Sequence, residues 1–181
     1  MKTTSVTGTS SDPARRRRGF TLIELLVVLV LIGIIVGFAT LAIDRDPRGD
    51  RLGRAVERLS ALLTLAQEQA LARGEEWGLL LEPDGYRFMV LDDEDHWQPV
   101  TDDPVFRARH FPPGTEVRLE LEGRPLVLAA DPERQRPSLV LLSSGGLTPF
   151  VAEFSATGTE RRFRITGRLV DGIRWQEVIG G

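Results

Sequence analysis

The carboxylate of Glu24 stands where ionised groups are rare. The chain around it reads Gly-Phe-Thr-Leu-Ile-Glu, and the 19 residues from Leu25 to Ile43 hold one polar side chain, Thr40. An acid at the middle of such a run costs about 2.5–3.5 kcal/mol to insert into a bilayer, and less near the interface, so a partner of opposite charge is expected. Other reactive side chains form weaker patterns. His96 and His110 are the only histidines, 14 apart, and there is no cysteine, so neither a zinc site nor a thiol nucleophile is supported. Ser143 and Ser144 lie in Ser-Ser-Gly-Gly, which has the composition of a turn and no nucleophile-elbow pattern. Asp92 to Asp95, with Asp102 and Asp103, could offer oxygens to calcium. They lack the spacing of a calcium loop and read as a solvated acidic loop. No catalytic constellation is present, and no enzyme activity, metal or cofactor is expected.

The element that must position Glu24 is a membrane helix. About 20 helical residues span the hydrocarbon core of about 30 Å, and the apolar run, extended back through Phe20, Leu22 and Ile23, is long enough. Arg15 to Arg18 precede it, which keeps the N-terminus cytoplasmic and sends the remainder across. A secretory signal peptide would have a shorter apolar region and a small-residue cleavage site. Gly33 and Gly37 are four apart, a spacing that brings helices together in lipid, although glycine is also commoner in membrane helices generally.

Arg18-Gly19-Phe20-Thr21-Leu22-Ile23-Glu24 resembles the class III signal of type IV pilins and type II secretion pseudopilins. The resemblance implies that a prepilin peptidase cuts after Gly19 and methylates the new N-terminus at Phe20. It further implies that Glu24 pairs with the terminal amine of a neighbouring subunit in a filament. Residues 1–14 then belong to a discarded cytoplasmic leader, 1–19. That leader carries a net charge of +4, and removing it leaves −7 on the mature chain. An acidic whole counts against a general nucleic-acid-binding surface.

Beyond the span, expected over 20–43, the charged stretch Asp44 to Asp50 marks the exit from the bilayer. Pro47 is expected to kink or break the helix. Leu52, Ala55, Val56, Leu59, Leu62, Leu63, Ala66 and Ala70 recur at helical spacing, with Gly74 as a stop, so 44–74 reads as an amphipathic helix whose stripe needs a sheet. The period then changes. Trp77 to Glu82 and Tyr86 to Leu91 flank Pro83-Asp84-Gly85 and predict a hairpin. A weaker strand is expected over Val105 to Phe111. Val117, Leu119 and Leu121 alternate with charged residues, as in a half-buried strand. Leu126 to Ala129, Leu139 to Leu142, Phe150 to Phe154, Arg162 to Ile165 and Ile173 to Val178 bring the head, 75–181, to about eight or nine strands. The expected class is α+β, with a long N-terminal helix packed on an all-β head in the manner of pilins.

The amphipathic helix ending in Leu-Ala-Arg-Gly, the hairpin, and Leu-Leu-Ser-Ser-Gly-Gly-Leu-Thr-Pro-Phe at 141–150 are similar to the minor pseudopilin H family of type II secretion. That family shares its domain with some minor pilins of type IV pili. This chain has Gly146 where the family pattern carries an acidic residue. The resemblance implies a structural subunit of a periplasmic pseudopilus, anchored once in the inner membrane with its head in the periplasm. Its implied partners are major and minor pseudopilins, the prepilin peptidase, an inner-membrane assembly platform and the lipid bilayer. The alternative is a minor pilin that binds DNA in transformation. That reading needs Arg161, Arg162, Arg164, Arg168 and Arg174 to form a basic patch, whereas arginines on alternating strands read as a solvated face.

Overall fold

The computed structural model describes residues 21–43, 46–128 and 136–178. The chain forms two compact units that divide between residues 45 and 46. The first contains helix α1, Leu22–Ile43, 22 residues long. Thr21 caps it: its carbonyl accepts from the amides of Glu24 and Leu25, and its hydroxyl accepts from Glu24 N at 3.3 Å. Every large apolar side chain described in α1, from Leu22 to Val36, is exposed. A helix apolar on every side has no face to present to water, and it requires lipid or other helices around it. At 1.5 Å per residue its backbone is about 33 Å long. Its described side chains end at Gly37, and among the described residues no helix is long and apolar enough to cross a membrane.

The second unit opens with helix α2, Pro47–Arg73. Pro47 does not kink a continuing helix; it occupies the first turn of a new one, where its missing N–H costs nothing. Asp46 is the N-cap, its Oδ1 accepting from Gly49 N at 2.9 Å. Gly74 ends α2 in the left-handed region at φ 69°, and its N–H returns to Ala70 O. The stripe from Leu52 to Ala70 is buried as its spacing requires, with Ala55 only half-buried.

Among the described residues ten strands follow, in two antiparallel sheets. The first is built on the hairpin β1 (Trp77–Glu82) and β2 (Gly85–Leu91), joined by Pro83 and Asp84. β7 (Leu139–Leu141) flanks β1; β3 (Trp97–Pro99) and β4 (Arg109–His110) share the other edge of β2. The second sheet has the order β10 (Gly172–Val178), β9 (Arg162–Arg168), β8 (Phe150–Ala156), β5 (Thr115–Leu121), β6 (Arg124–Leu126). Helix α2 packs on β8, β9 and β10 of this sheet and on β1 and β7 of the other.

The strand expected over Val105 to Phe111 is cut down to two residues. Pro104–Phe106 is instead a 3-10 turn capped by Asp103, whose Oδ1 accepts from Val105 N at 2.8 Å, and only Arg109–His110 pair. The reason lies in Phe106 and Phe111. Ring contacts pass in succession between Trp77 and Phe106 (4.8 Å), Phe106 and Phe88 (5.1 Å), Phe88 and Tyr86 (6.0 Å), Tyr86 and Phe111 (5.5 Å), and Phe111 and Phe154 (5.4 Å), crossing from one sheet to the other. The segment serves as a plug between the sheets, and edge-to-face rings of this kind contribute about 0.5–1.5 kcal/mol per pair beyond their burial. Strand β3 was not expected from the sequence, being three residues long with a proline in it.

Candidate assembly site

Of the residues singled out near the N-terminus, Arg18, Gly19 and Phe20 lie outside the described residues. Glu24 is described. With Thr21 as cap, Glu24 occupies the third helical position, and the pair has the spacing of a capping box. Its side chain is exposed in the first turn of α1, and no group among the described residues pairs with its carboxylate. The negative charge at a helix N-terminus is favourable in itself. The lateral surface it belongs to is otherwise apolar, so the carboxylate is the one feature of the described helix that selects a charged partner.

A second cluster sits at the start of α2. Asp46 Oδ2 accepts from Thr159 Oγ1, and Thr159 Oγ1 accepts from Arg161 N at 3.1 Å. The bonds from Gly49 N and Thr159 hold the Asp46 carboxyl below its ordinary value of 3.8. Arg161 reaches Asp50 Oδ1 and Glu177 Oε1, each at 2.6 Å, and its guanidinium lies 5.3 Å from the centre of the Phe163 ring. The first turn of α2 is thereby tied to β9 and β10. The sequence placed a helix over 44–74 with a kink or break at Pro47; it pointed neither to Asp46 as cap nor to these partners, which lie more than a hundred residues away.

The arginines needed for a nucleic-acid patch have other uses. Besides Arg161, Arg164 bonds Glu153 Oε1 at 2.6 Å, Arg168 faces Asp171 at 3.9 Å, and Arg174 donates to the carbonyl of Asp171 at 3.2 Å. Arg162 and Arg174 are the two of the five that are exposed without a charged partner among the described residues.

The acidic loop is organised around one member. Asp92 Oδ1 accepts from the amides of Glu94 (3.0 Å) and His96 (2.8 Å), and Oδ2 accepts from Gln98 Nε2 (3.0 Å). Those bonds, the Gln98 amide first, lower its pKa. Its lone pairs serve the turn, and among the described residues no group of three or more acidic, histidine or cysteine side chains is placed to hold a metal. His96 lies beside Asp92 and His110 beside Asp84, so the histidines do not converge. Ser143 is a turn residue: its hydroxyl and amide both bond the carboxylate of Glu76, at 2.8 and 3.2 Å. Gly145, at φ 86°, gives its carbonyl to Gln67 Nε2 at 2.9 Å, which fixes the 142–146 turn to the end of α2; Gly146 sits in that turn.

A prokaryotic N-terminal methylation motif matches residues 14–40, and the description of the type II transport protein GspH matches residues 55–169. The chain belongs to the GspH family. Type II secretion system protein H of Pseudomonas aeruginosa is 36% identical over 156 residues, covering 82% of this chain and 88% of that one. The corresponding protein of Aeromonas hydrophila is 31% identical over 158 residues, 82% and 86% of the two chains. The crystal structure of the minor pseudopilin EpsH of Vibrio cholerae superimposes with a TM-score of 0.61 at 21% identity, over 70% of this chain and 96% of that one. That likeness speaks to the fold: a helix against antiparallel sheets. As a GspH-type minor pseudopilin of type II secretion, the chain works by assembly. The site that matters is its contact surface.

Proposed function

We propose that this minor pseudopilin enters the type II secretion pseudopilus through α1, with Glu24 as the charged contact. The observation that carries the reading is the Glu24 carboxylate, without a partner among the described residues, in the first turn of a helix whose described side chains are otherwise apolar and exposed. Burying a carboxylate alone costs several kcal/mol, and an ammonium group on the partner offsets most of that. The matching partner is the N-terminal amine of a neighbouring subunit, freed when prepilin peptidase cuts between Gly19 and Phe20 and then methylated. Arg18 belongs to the cleavage signal. Before assembly α1 anchors the chain in the inner membrane with the head in the periplasm, and an inner-membrane platform adds it to major and minor pseudopilins. No step requires catalysis by this chain.

The test is intact-mass measurement of the protein from cells with and without prepilin peptidase, together with the extracellular protein profile of a deletion strain. A mass starting at methylated Phe20, and folded exoproteins held in the periplasm of the deletion strain, are expected. Retention of residues 1–19 in peptidase-positive cells, or normal secretion without the gene, overturns the reading.

A further inference from the structure

We propose that the groove beside β2, between β3 and β4 of the first sheet, docks an acidic segment of a neighbouring pseudopilin. This rests on the reading of the chain as an assembly subunit. β4 pairs with Gly85 and Tyr86 of β2, and β3 pairs with Met89 to Leu91 on the same edge. Between them Arg87 and Phe88 have no strand opposite. The only bond from that side among the described residues is Val100 N to Phe88 O at 3.0 Å. The gap opens into a groove of about 500 Å³, a volume typical of sites that take a ligand or a short segment.

The lining is largely apolar, and its charged side chains are mostly basic. Arg87, Arg107 and Arg109 face it with one acid, Glu82, and His110 at its margin. Glu82 already belongs to Arg87, at 2.6 Å. Arg109 is held in place by two carbonyls, Val105 O at 2.9 Å and Arg107 O at 3.1 Å. Arg107 is exposed, and no acid pairs with it among the described residues. The groove is also held to shape: a side chain at Gly85 would run into the carbonyl of Arg109, so the close approach of β4 depends on glycine.

The charge contrast selects the occupant. The mature chain carries −7, so an acidic partner is repelled by most of the surface and attracted here. Guanidinium forks bind carboxylates in two-point fashion. The occupant they describe is a segment that presents carboxylates to these arginines.

The experiment uses the full chain in detergent micelles and two fluorescein-labelled peptides, acetyl-Glu-Val-Glu-Val-Glu-amide and its Lys-Val-Lys-Val-Lys counterpart, followed by fluorescence anisotropy. The glutamyl peptide is expected to bind in a salt-sensitive manner and the lysyl peptide not to bind, with Arg107→Glu weakening the former about tenfold or more. In cells, Arg107→Glu is expected to lower secretion while the protein is still processed and accumulates. Equal binding of both peptides, no effect of Arg107→Glu, or full displacement by an equal concentration of inorganic phosphate overturns the proposal. A deletion strain that secretes normally sinks the assembly reading itself. A deletion that blocks secretion beside an Arg107→Glu strain that secretes and binds normally sinks the groove alone.

Discussion

Arg161 grips Glu177 with two hydrogen bonds, Nε to Oε1 at 2.6 Å and Nη2 to Oε2 at 3.0 Å, and holds Asp50 with Nη1 at 2.6 Å. One guanidinium thus joins the last described strand to the first turn of α2. Its pKa is pushed up, chiefly by the bond to Glu177, and that of Glu177 is pushed down by the same bond.

Replacing this side chain by Gln should lower the melting temperature by several degrees and speed proteolysis near the start of α2. Single exposed ion pairs contribute little, whereas a two-acid network around a two-point Arg contributes measurably. The effect should depend on pH with a defined sign. Glu177 has a lowered pKa in the folded state, from an ordinary value of 4.5, first through its bond to Arg161. That stabilisation is complete above the ordinary value and drains as pH falls through the lower, folded one. Melting scans from pH 7 to below 4 should therefore show wild type and Arg161→Gln converging at the acid end. A constant gap across that range would refute the role given to the carboxylates.

For Glu24→Ala the expected outcome is a protein that is cleaved and methylated at Phe20 but recovered poorly in pseudopili. Capping by Thr21 does not involve the carboxylate, so α1 should remain helical. Cross-linking to other pseudopilins in the membrane fraction is the measurement, and wild-type cross-linking would remove Glu24 from the assembly mechanism.

Gly53 lets α2 approach the second sheet closely. A Cβ there would sit 3.0 Å from Phe163 Cζ. Gly53→Leu should overpack this contact and destabilise the head by about 1–3 kcal/mol, which denaturant titration would detect. An unchanged midpoint would mean that Phe163 moves aside freely.

Asp92 should behave as a turn residue. Asp92→Ala is expected to loosen the β2–β3 connection, seen as faster amide exchange at Glu94 and His96, while addition of calcium or a chelator leaves the melting temperature of the wild type unchanged. A calcium-dependent rise would show that the carboxylates of this loop are recruited by the ion.

The sequence by itself determined the N-terminal signal, the apolar segment with its single acid, the amphipathic stripe of α2 and its glycine stop, and the first hairpin. Each depends on spacing within a turn or two of chain: a carboxylate among apolar neighbours, a 3.6-residue period from Leu52 to Ala70, a proline-aspartate turn between β-rich runs. It also carried the family, since the N-terminal string and the head motifs occur together. Tertiary structure decided the rest. Val105 to Phe111 looks like a strand because apolar and charged residues mix there, but the space between the sheets takes Phe106 and Phe111 as a plug. Gly85, apparently a turn residue, lies where β4 crosses β2 too closely for a side chain. The five arginines of the carboxy-terminal strands could not be sorted into paired and free from sequence. Arg161 meets Asp50 across 111 residues, and Thr159 meets Asp46 across 113. Such meetings leave no local periodicity, because they are set by how sheets and helix pack and not by the conformational preferences of the residues that make them.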